Sequence, residues 1–272
     1  MRKTLAAGSA AALATSGLLF AAAPASAADA TVSVLHAIPA GAGADVVDVY
    51  ANGNLLIDNF TPGTLKTVTV PAGTYLLQVS ADGQPASAAL LTLNQEVPAG
   101  ANATVVAYLT ADTPAAPAIK TFINNTKMSP SGQGNLTVRH IAQAPVVDIL
   151  ANGAKVAALS PLANGEEKLA DLPAATYSAA VAATGTTAPV IGPADVPVKA
   201  GTTTIVYAWG NIATPSSLAV ATQEVKQMPA GVPAGEAGLA DNGGFPAWAL
   251  GLMAAGALGA VVATRRLAAD RG

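Results

Sequence analysis

The residues best suited to chemistry are few. The chain holds two histidines, His36 and His140, and an aspartate follows each of them, as Asp48 and Asp148. An imidazole oriented by a carboxylate can act as a general base, as in hydrolytic triads. That chemistry also needs a nucleophile. The chain has no cysteine, and no serine stands in a G-x-S-x-G elbow. The lack of cysteine likewise excludes disulfide frameworks and Cys-based zinc sites. One histidine in each half of the chain cannot close a zinc site. Asp45 and Asp48 lie in no D-x-[DN]-x-[DN]-G calcium loop. Gly41-Ala42-Gly43 lacks the third glycine and the following helix of a phosphate cradle. The competing reading makes His36, Asp48, His140 and Asp148 repeat-paired structural residues. Each aspartate then caps a turn or bonds a backbone amide, and each histidine packs as a polar seam residue. On that reading there is no catalytic residue, no metal and no cofactor.

The two pairs belong to an internal repeat. Val46-Val47-Asp48-Val49-Tyr50-Ala51-Asn52-Gly53 recurs as Val146-Val147-Asp148-Ile149-Leu150-Ala151-Asn152-Gly153. Leu35-His36-Ala37 matches Arg139-His140-Ile141, and Pro71-Ala-Gly-Thr-Tyr75 matches Pro173-Ala-Ala-Thr-Tyr177. Ala99-Gly100 matches Ala200-Gly201, which sets Tyr108 against Trp209. The offsets drift because loops differ in length, and the Pro39–Ala44 segment is shorter in the second copy. A period near 100 residues is a whole domain rather than a solenoid unit.

Each copy reads as short strands. In the first, Thr31–Ile38, Val46–Ala51, Thr67–Val70, Tyr75–Ala81, Ala88–Leu93 and Thr104–Thr110 are β-branched or alternating runs punctuated by Gly, Pro, Asn and Asp. Asn52-Gly53 and Asn152-Gly153 predict type I′ hairpins, whose two central residues need positive φ. Pro71–Tyr75 and Pro98–Gly100 read as turns that carry the chain from one sheet to another. No amphipathic helix interrupts the series. The expected fold is all-β, two tandem immunoglobulin-like β-sandwiches without the Cys…Trp…Cys signature.

The order of His-ended strand, Pro-bearing turn, V-D-V-Y-x-N-G and P-A-G-x-Y resembles the bacterial domain of unknown function 4397. Thr31 to Ile123 carries the first copy of the pattern. Asn135 to Val225 carries the second, with Leu150 in place of the tyrosine. The resemblance implies a β-sandwich in an exported protein, and no known reaction, substrate or cofactor.

The ends read as addresses. Arg2-Lys3, an apolar run from Leu5 to Ala23 and Ala25-Ser26-Ala27 form a signal peptide over residues 1–27, cut after Ala27. Phe245–Thr264 is a run of 20 uncharged, largely apolar residues followed by Arg265-Arg266, the pattern of a transmembrane helix with a basic cytoplasmic tail, 265–272. Before it stands Leu239-Ala240-Asp241-Asn242-Gly243, which resembles the LAxTG sorting motif of Gram-positive cell-wall proteins. It departs at Asn242, where that family has threonine. A plain membrane anchor therefore stands beside sortase attachment as an open alternative. The organisation between the ends is a first sandwich over 28–123, a linker over 124–134, a second sandwich over 135–227 and a Pro/Gly stalk over 228–244.

Charge narrows the partners. From Ala28 to Asn242 eight basic residues face fifteen acidic ones, a net charge of −7. Such a body repels phosphate backbones, so nucleic acid is excluded as a partner. The expected partners are the membrane, through the C-terminal anchor, and a cell-wall polymer or another envelope protein. The expected role is non-enzymatic: structural, adhesive or in recognition, displayed on the cell surface. The alternatives are a carbohydrate- or peptide-binding module using Tyr50, Tyr108 or Trp209, and a hydrolase built on His36 and Asp48.

Overall fold

The computed structural model describes residues 27–229. Most of the signal segment, the sorting-like motif and the C-terminal apolar run lie outside the described residues. The chain divides into two compact units. The first runs to Tyr108 and takes in Pro117–Ile123; the second holds Leu109–Ala116 and everything from Asn124. The excursion Leu109–Ala116 thus groups with the second unit, although the sequence assigns it to the first repeat.

The first unit is built from β1 (Ala30–His36), β2 (Val47–Ala51), β3 (Asn54–Phe60), β4 (Leu65–Val70), β5 (Gly73–Ala81), β6 (Leu91–Val97), β7 (Asn102–Leu109) and β8 (Pro117–Ile123). They form two four-stranded sheets, β4-β1-β7-β8 and β3-β2-β5-β6. β1 pairs antiparallel with β4 and parallel with β7. The Pro71 and Pro98 turns carry the chain between these two sheets, since β4 and β7 lie in one and β5 and β6 in the other. The core sits between the sheets. One cluster gathers Val34, Val47, Val49, Ile57, Phe60 and Val79; a second gathers Ala30, Val32, Leu77, Val97 and Val105. Each fully buried aliphatic side chain of this kind contributes roughly 1.5–3 kcal/mol.

The second unit repeats the plan with β9 (Gln133–His140), β10 (Val147–Ala151), β11 (Ala154–Lys155), β12 (Glu166–Pro173), β13 (Ala175–Ala183), β14 (Pro189–Val198), β15 (Thr202–Asn211) and β16 (Thr214–Lys226). Its sheets are β12-β9-β15-β16 and β11-β10-β13-β14, the same order as in the first unit. The counterpart of β3 has shrunk to two residues and a 3-10 turn, Ala157–Leu159. Ser160 makes good the loss: its Oγ accepts from the Ile149 N–H at 2.8 Å. A large core cluster includes Val138, Ile149, Leu159, Leu162, Val181 and Val196, and a smaller one gathers Leu150, Ala180 and Ala182.

Both Asn-Gly hairpins have the expected geometry. Asn52 and Gly53 stand at φ 51° and 78°, and so do Asn152 and Gly153. Three strand readings need correction. β3 and β8 are absent from the sequence reading, and the sixth strand lies at Leu91–Val97 rather than Ala88–Leu93. The 124–134 segment is not a free linker. Gln133 already opens β9, Lys127 bridges to Met228, and Ser129 N–H donates to Gln227 Oε1 at 2.9 Å.

Candidate functional site

The histidine–aspartate pairs end up buried and apart. His36 closes β1 and is 1% exposed; Asp48 sits on β2 and is 3% exposed. Imidazole Nε2 lies 2.7 Å from the Ala44 carbonyl. A carbonyl can only accept, so Nε2 carries the hydrogen. The other ring nitrogen, Nδ1, has no partner. Burial holds this imidazole below its ordinary pKa, partly offset by the Ala44 carbonyl and the nearby Asp45 charge. The ring lies 5.7 Å from that of Phe60, tilted by 39°. Neither nitrogen meets a hydroxyl or a carboxylate.

Asp48 serves backbone instead. Oδ1 accepts from the Asn59 N–H at 3.1 Å and Oδ2 from the Gly83 N–H at 2.9 Å. Asn59 and Gly83 both have positive φ, 52° and 68°, and are thus irregular points in the chain. The carboxylate therefore holds a kink near the end of β3 and the turn after β5 onto β2. Asp45, the other candidate oxygen ligand, accepts from the Gly41 N–H. Among the described residues no group of three His, Cys, Asp or Glu side chains could hold a metal ion.

The second copy reproduces the arrangement with one change. His140 Nε2 lies 2.9 Å from the Pro145 carbonyl and Nδ1 again has no partner. Burial lowers its pKa, against the opposing effect of the Pro145 and Ala144 carbonyls. Asp148 Oδ2 accepts from the Gly185 N–H at 2.9 Å, as Asp48 does from Gly83. Its Oδ1 faces Lys155 Nζ at 2.8 Å in place of a backbone amide. The Lys155 hydrogen bond first, and the Gly185 amide second, hold the Asp148 carboxyl below the usual range.

Other repeated residues serve the same end. Asn52 Oδ1 accepts from the Leu76 N–H at 2.8 Å, and Asn152 Oδ1 from the Ser178 N–H at 2.9 Å. These bonds fasten each hairpin to the neighbouring strand. Tyr75 donates its hydroxyl to the Pro71 carbonyl at 2.8 Å, and Tyr177 donates to Pro173 at 2.9 Å. Each tyrosine thus locks the inter-sheet turn four residues upstream, as tyrosine corners do. The P-A-x-T-Y repeat is legible as a turn in the sequence, but the role of its tyrosine is not.

The aromatic candidates offer no open platform. Tyr50 is half-buried and donates its hydroxyl to the Gln84 carbonyl at 2.9 Å. Tyr108 is buried. Trp209 is half-buried, with its indole N–H enclosed and lacking a hydrogen-bond partner.

Sequence reasoning misses one buried polar centre. Arg139 is 0% exposed. Its Nε donates to Glu167 Oε2 at 2.8 Å, Nη1 to the Tyr207 hydroxyl at 2.8 Å and Nη2 to Asn124 Oδ1 at 2.9 Å. The Tyr207 hydroxyl in turn donates to Gln223 Oε1 at 2.6 Å. Strand register shows what changed between the copies. Leu35 stands beside Leu65 and Val106 where Arg139 stands beside Glu167 and Tyr207. The aligned repeats hold the only signal, a charge set against Leu35.

These features define a duplicated all-β, sandwich-like protein whose shared polar residues hold its own turns. Residues 30–150 match the family described as a domain of unknown function (DUF4397). The match spans β1–β8 and ends on β10, at Leu150. No curated protein matches the chain.

Proposed function

We propose that the chain is an exported, non-enzymatic envelope protein. Two immunoglobulin-like sandwiches are displayed outside the membrane and fastened through the C-terminal segment, by Phe245–Thr264 as an anchor or by sortase attachment at Leu239–Gly243. The second sandwich is read as another copy of the same domain of unknown function. One observation carries the non-enzymatic reading: Asp48, Asp148, Asn52, Asn152, Tyr75 and Tyr177 all spend their polar atoms on scaffold bonds, and they do so in matching positions. Copies that keep the same bonds are keeping a fold. The role is structural, adhesive or in recognition, through loops at the sandwich ends.

Protease shaving of intact cells tests the display. Peptides from the 28–229 body should be released, and the mature chain should begin at Ala28 by mass spectrometry. A chain recovered from the cytosol with Met1 still attached would refute the proposal.

A further inference from the structure

The second sandwich takes in its chain and gives it out along one seam. The entering segment, 124–129, and the leaving one, 226–228, run in the same direction and are bridged at Lys127 and Met228. The Met228 N–H donates to the Thr126 carbonyl at 2.8 Å. Ser129 and Gln227 are joined twice. The Ser129 N–H donates to Gln227 Oε1 at 2.9 Å, and Gln227 Nε2 donates to Ser129 Oγ at 2.8 Å. The entering segment is also stitched to the strands. Thr203 Oγ1 donates to the Asn125 carbonyl at 2.7 Å, Ser129 Oγ to Asp171 Oδ1 at 2.7 Å, and Arg139 Nη2 to Asn124 Oδ1 at 2.9 Å. Asn124, Thr203 and Gln227 are buried, so water is kept from taking over these bonds as they stretch.

Direction decides what such a seam can do. The chain reaches Asn124 from behind the overlap and departs from Met228 ahead of it. Pulling on the two sides therefore slides parallel segments past each other instead of peeling them apart. Bonds between neighbouring strands lie across the strand direction, so a pull along the strands loads all of them together. A pull across the strands breaks them one at a time. Lifetime under force is set by the unfolding rate, not by equilibrium stability, and bonds that must fail together slow that rate most. We propose that the second sandwich carries tension. Force between a target engaged through the first sandwich and the C-terminal attachment enters at Asn124, leaves at Met228 and is borne in shear by this seam. The source of the tension rests on the display reading above; the shear geometry does not.

Constant-force spectroscopy of the full purified chain tests the seam. The chain has no cysteine, so a pair of introduced ones defines where it is held. Ile123, Ala200 and Pro229 are exposed and suit this use. Ile123→Cys with Pro229→Cys pulls along the seam. Ala200→Cys with Pro229→Cys pulls apart the adjacent ends of β15 and β16, where Thr202 pairs with Lys226, and so peels them. Unfolding should release about 350 Å in the first case and about 100 Å in the second, from the residues between the two anchors. At one force the first pair should outlast the second by about a hundredfold, the worth of three modest hydrogen bonds broken together rather than in turn. Ser129→Ala, which takes two bonds from the seam, should shorten the first lifetime by about tenfold or more and leave the second unchanged. Tyr177→Phe, which removes a bond of the same sandwich outside the seam, should leave the first lifetime unchanged. Equal lifetimes for the two anchor pairs would overturn the proposal, as would a Ser129→Ala effect that is the same in both directions. The comparison of directions is made with every seam residue intact, so it holds even if Ser129→Ala fails to fold. A chain found in the cytosol would remove the source of tension and leave this measurement untouched, so the two failures are told apart.

Discussion

Asp48→Asn and Asp148→Asn are the same substitution at matching positions, and the structure predicts unequal costs. At Asp48 both carboxylate oxygens are taken up by backbone amides, those of Asn59 and Gly83. An asparagine side chain offers one oxygen to one amide and turns an NH2 toward the other. Two donors then face each other in a buried site. One hydrogen bond to a charged acceptor is lost and one amide is stranded, a cost of about 3 kcal/mol. At Asp148 the backbone asks for one oxygen only, for Gly185. The other faces Lys155, whose side chain is 46% exposed and can turn to water. Losing such a pair costs about 1 kcal/mol or less. The difference, about 2 kcal/mol, corresponds to roughly 8–16 °C in melting temperature for a domain of this size. Urea titration of the full chain, followed by amide hydrogen exchange, reads each unit separately. Asp48→Asn should deprotect Asn59 and Gly83 and weaken the first unit, while Asp148→Asn leaves the second close to the parent. Equal losses in the two variants would show that the Asn59 bond contributes nothing, and the account of the pair as a turn clamp would fail.

Acid should weaken the fold in two steps. Burial depresses both imidazoles below 6.5, so the unfolded chain binds more protons just under that pH and stability falls as pH drops from 6.5 toward the folded values. Urea midpoints should decline through that window, and a His36→Phe, His140→Phe double variant should flatten the decline. Asp148, held below its ordinary 3.8, adds stability that is present above 3.8 and lost as pH falls further, a step that Asp148→Asn should remove. Tyr75→Phe and Tyr177→Phe should each cost about 1 kcal/mol by removing one turn-locking bond, measured by denaturant midpoint. Arg139→Leu alone should cost about 3–5 kcal/mol, because Glu167, Tyr207 and Asn124 keep their polar atoms and lose their partner. Combining it with Glu167→Leu and Tyr207→Val, the residues of the first copy, should recover most of that loss in calorimetry.

The parts legible in the sequence are those governed by local rules. Asn-Gly fixes positive φ at two neighbouring positions, so both hairpins are visible. β8 is not, because it opens on Pro117 inside a Pro/Ala run; it lies at the edge of its sheet, where a missing N–H is tolerated. β3 loses its alternation to the irregularity at Asn59, and its burial pattern follows no clean period of two. β6 alternates well, but its exposed and half-buried positions carry Asn94, Gln95 and Glu96, which shift the expected strand upstream. The Arg139 centre is beyond reach for another reason. Its partners lie 15, 28 and 68 residues away along the chain, so no window of sequence contains the constellation. A cavity between the sheets of the first sandwich, lined by His36 among others, is likewise a property of packing, to which no single residue testifies.

Duplication separates two demands that a single domain confounds. A polar residue present in both copies with the same bonded partner answers to the scaffold, as Asp48 and Asp148 do through Gly83 and Gly185. A residue that differs between copies at a buried position must answer to something the other copy lacks. Arg139 in place of Leu35 replaces an apolar contact with a cation that needs several acceptors at once, and every guanidinium nitrogen has one. Such an exchange does not accumulate by single neutral steps, because each partial set leaves a buried charge unpaired. The loop after His140 differs the other way, being shorter than the one after His36. The second sandwich thus invests its difference in a rigid polar centre. The first keeps its difference as the longer connection from β1 to β2, whose Ala42 and Gly43 line a cavity between its sheets.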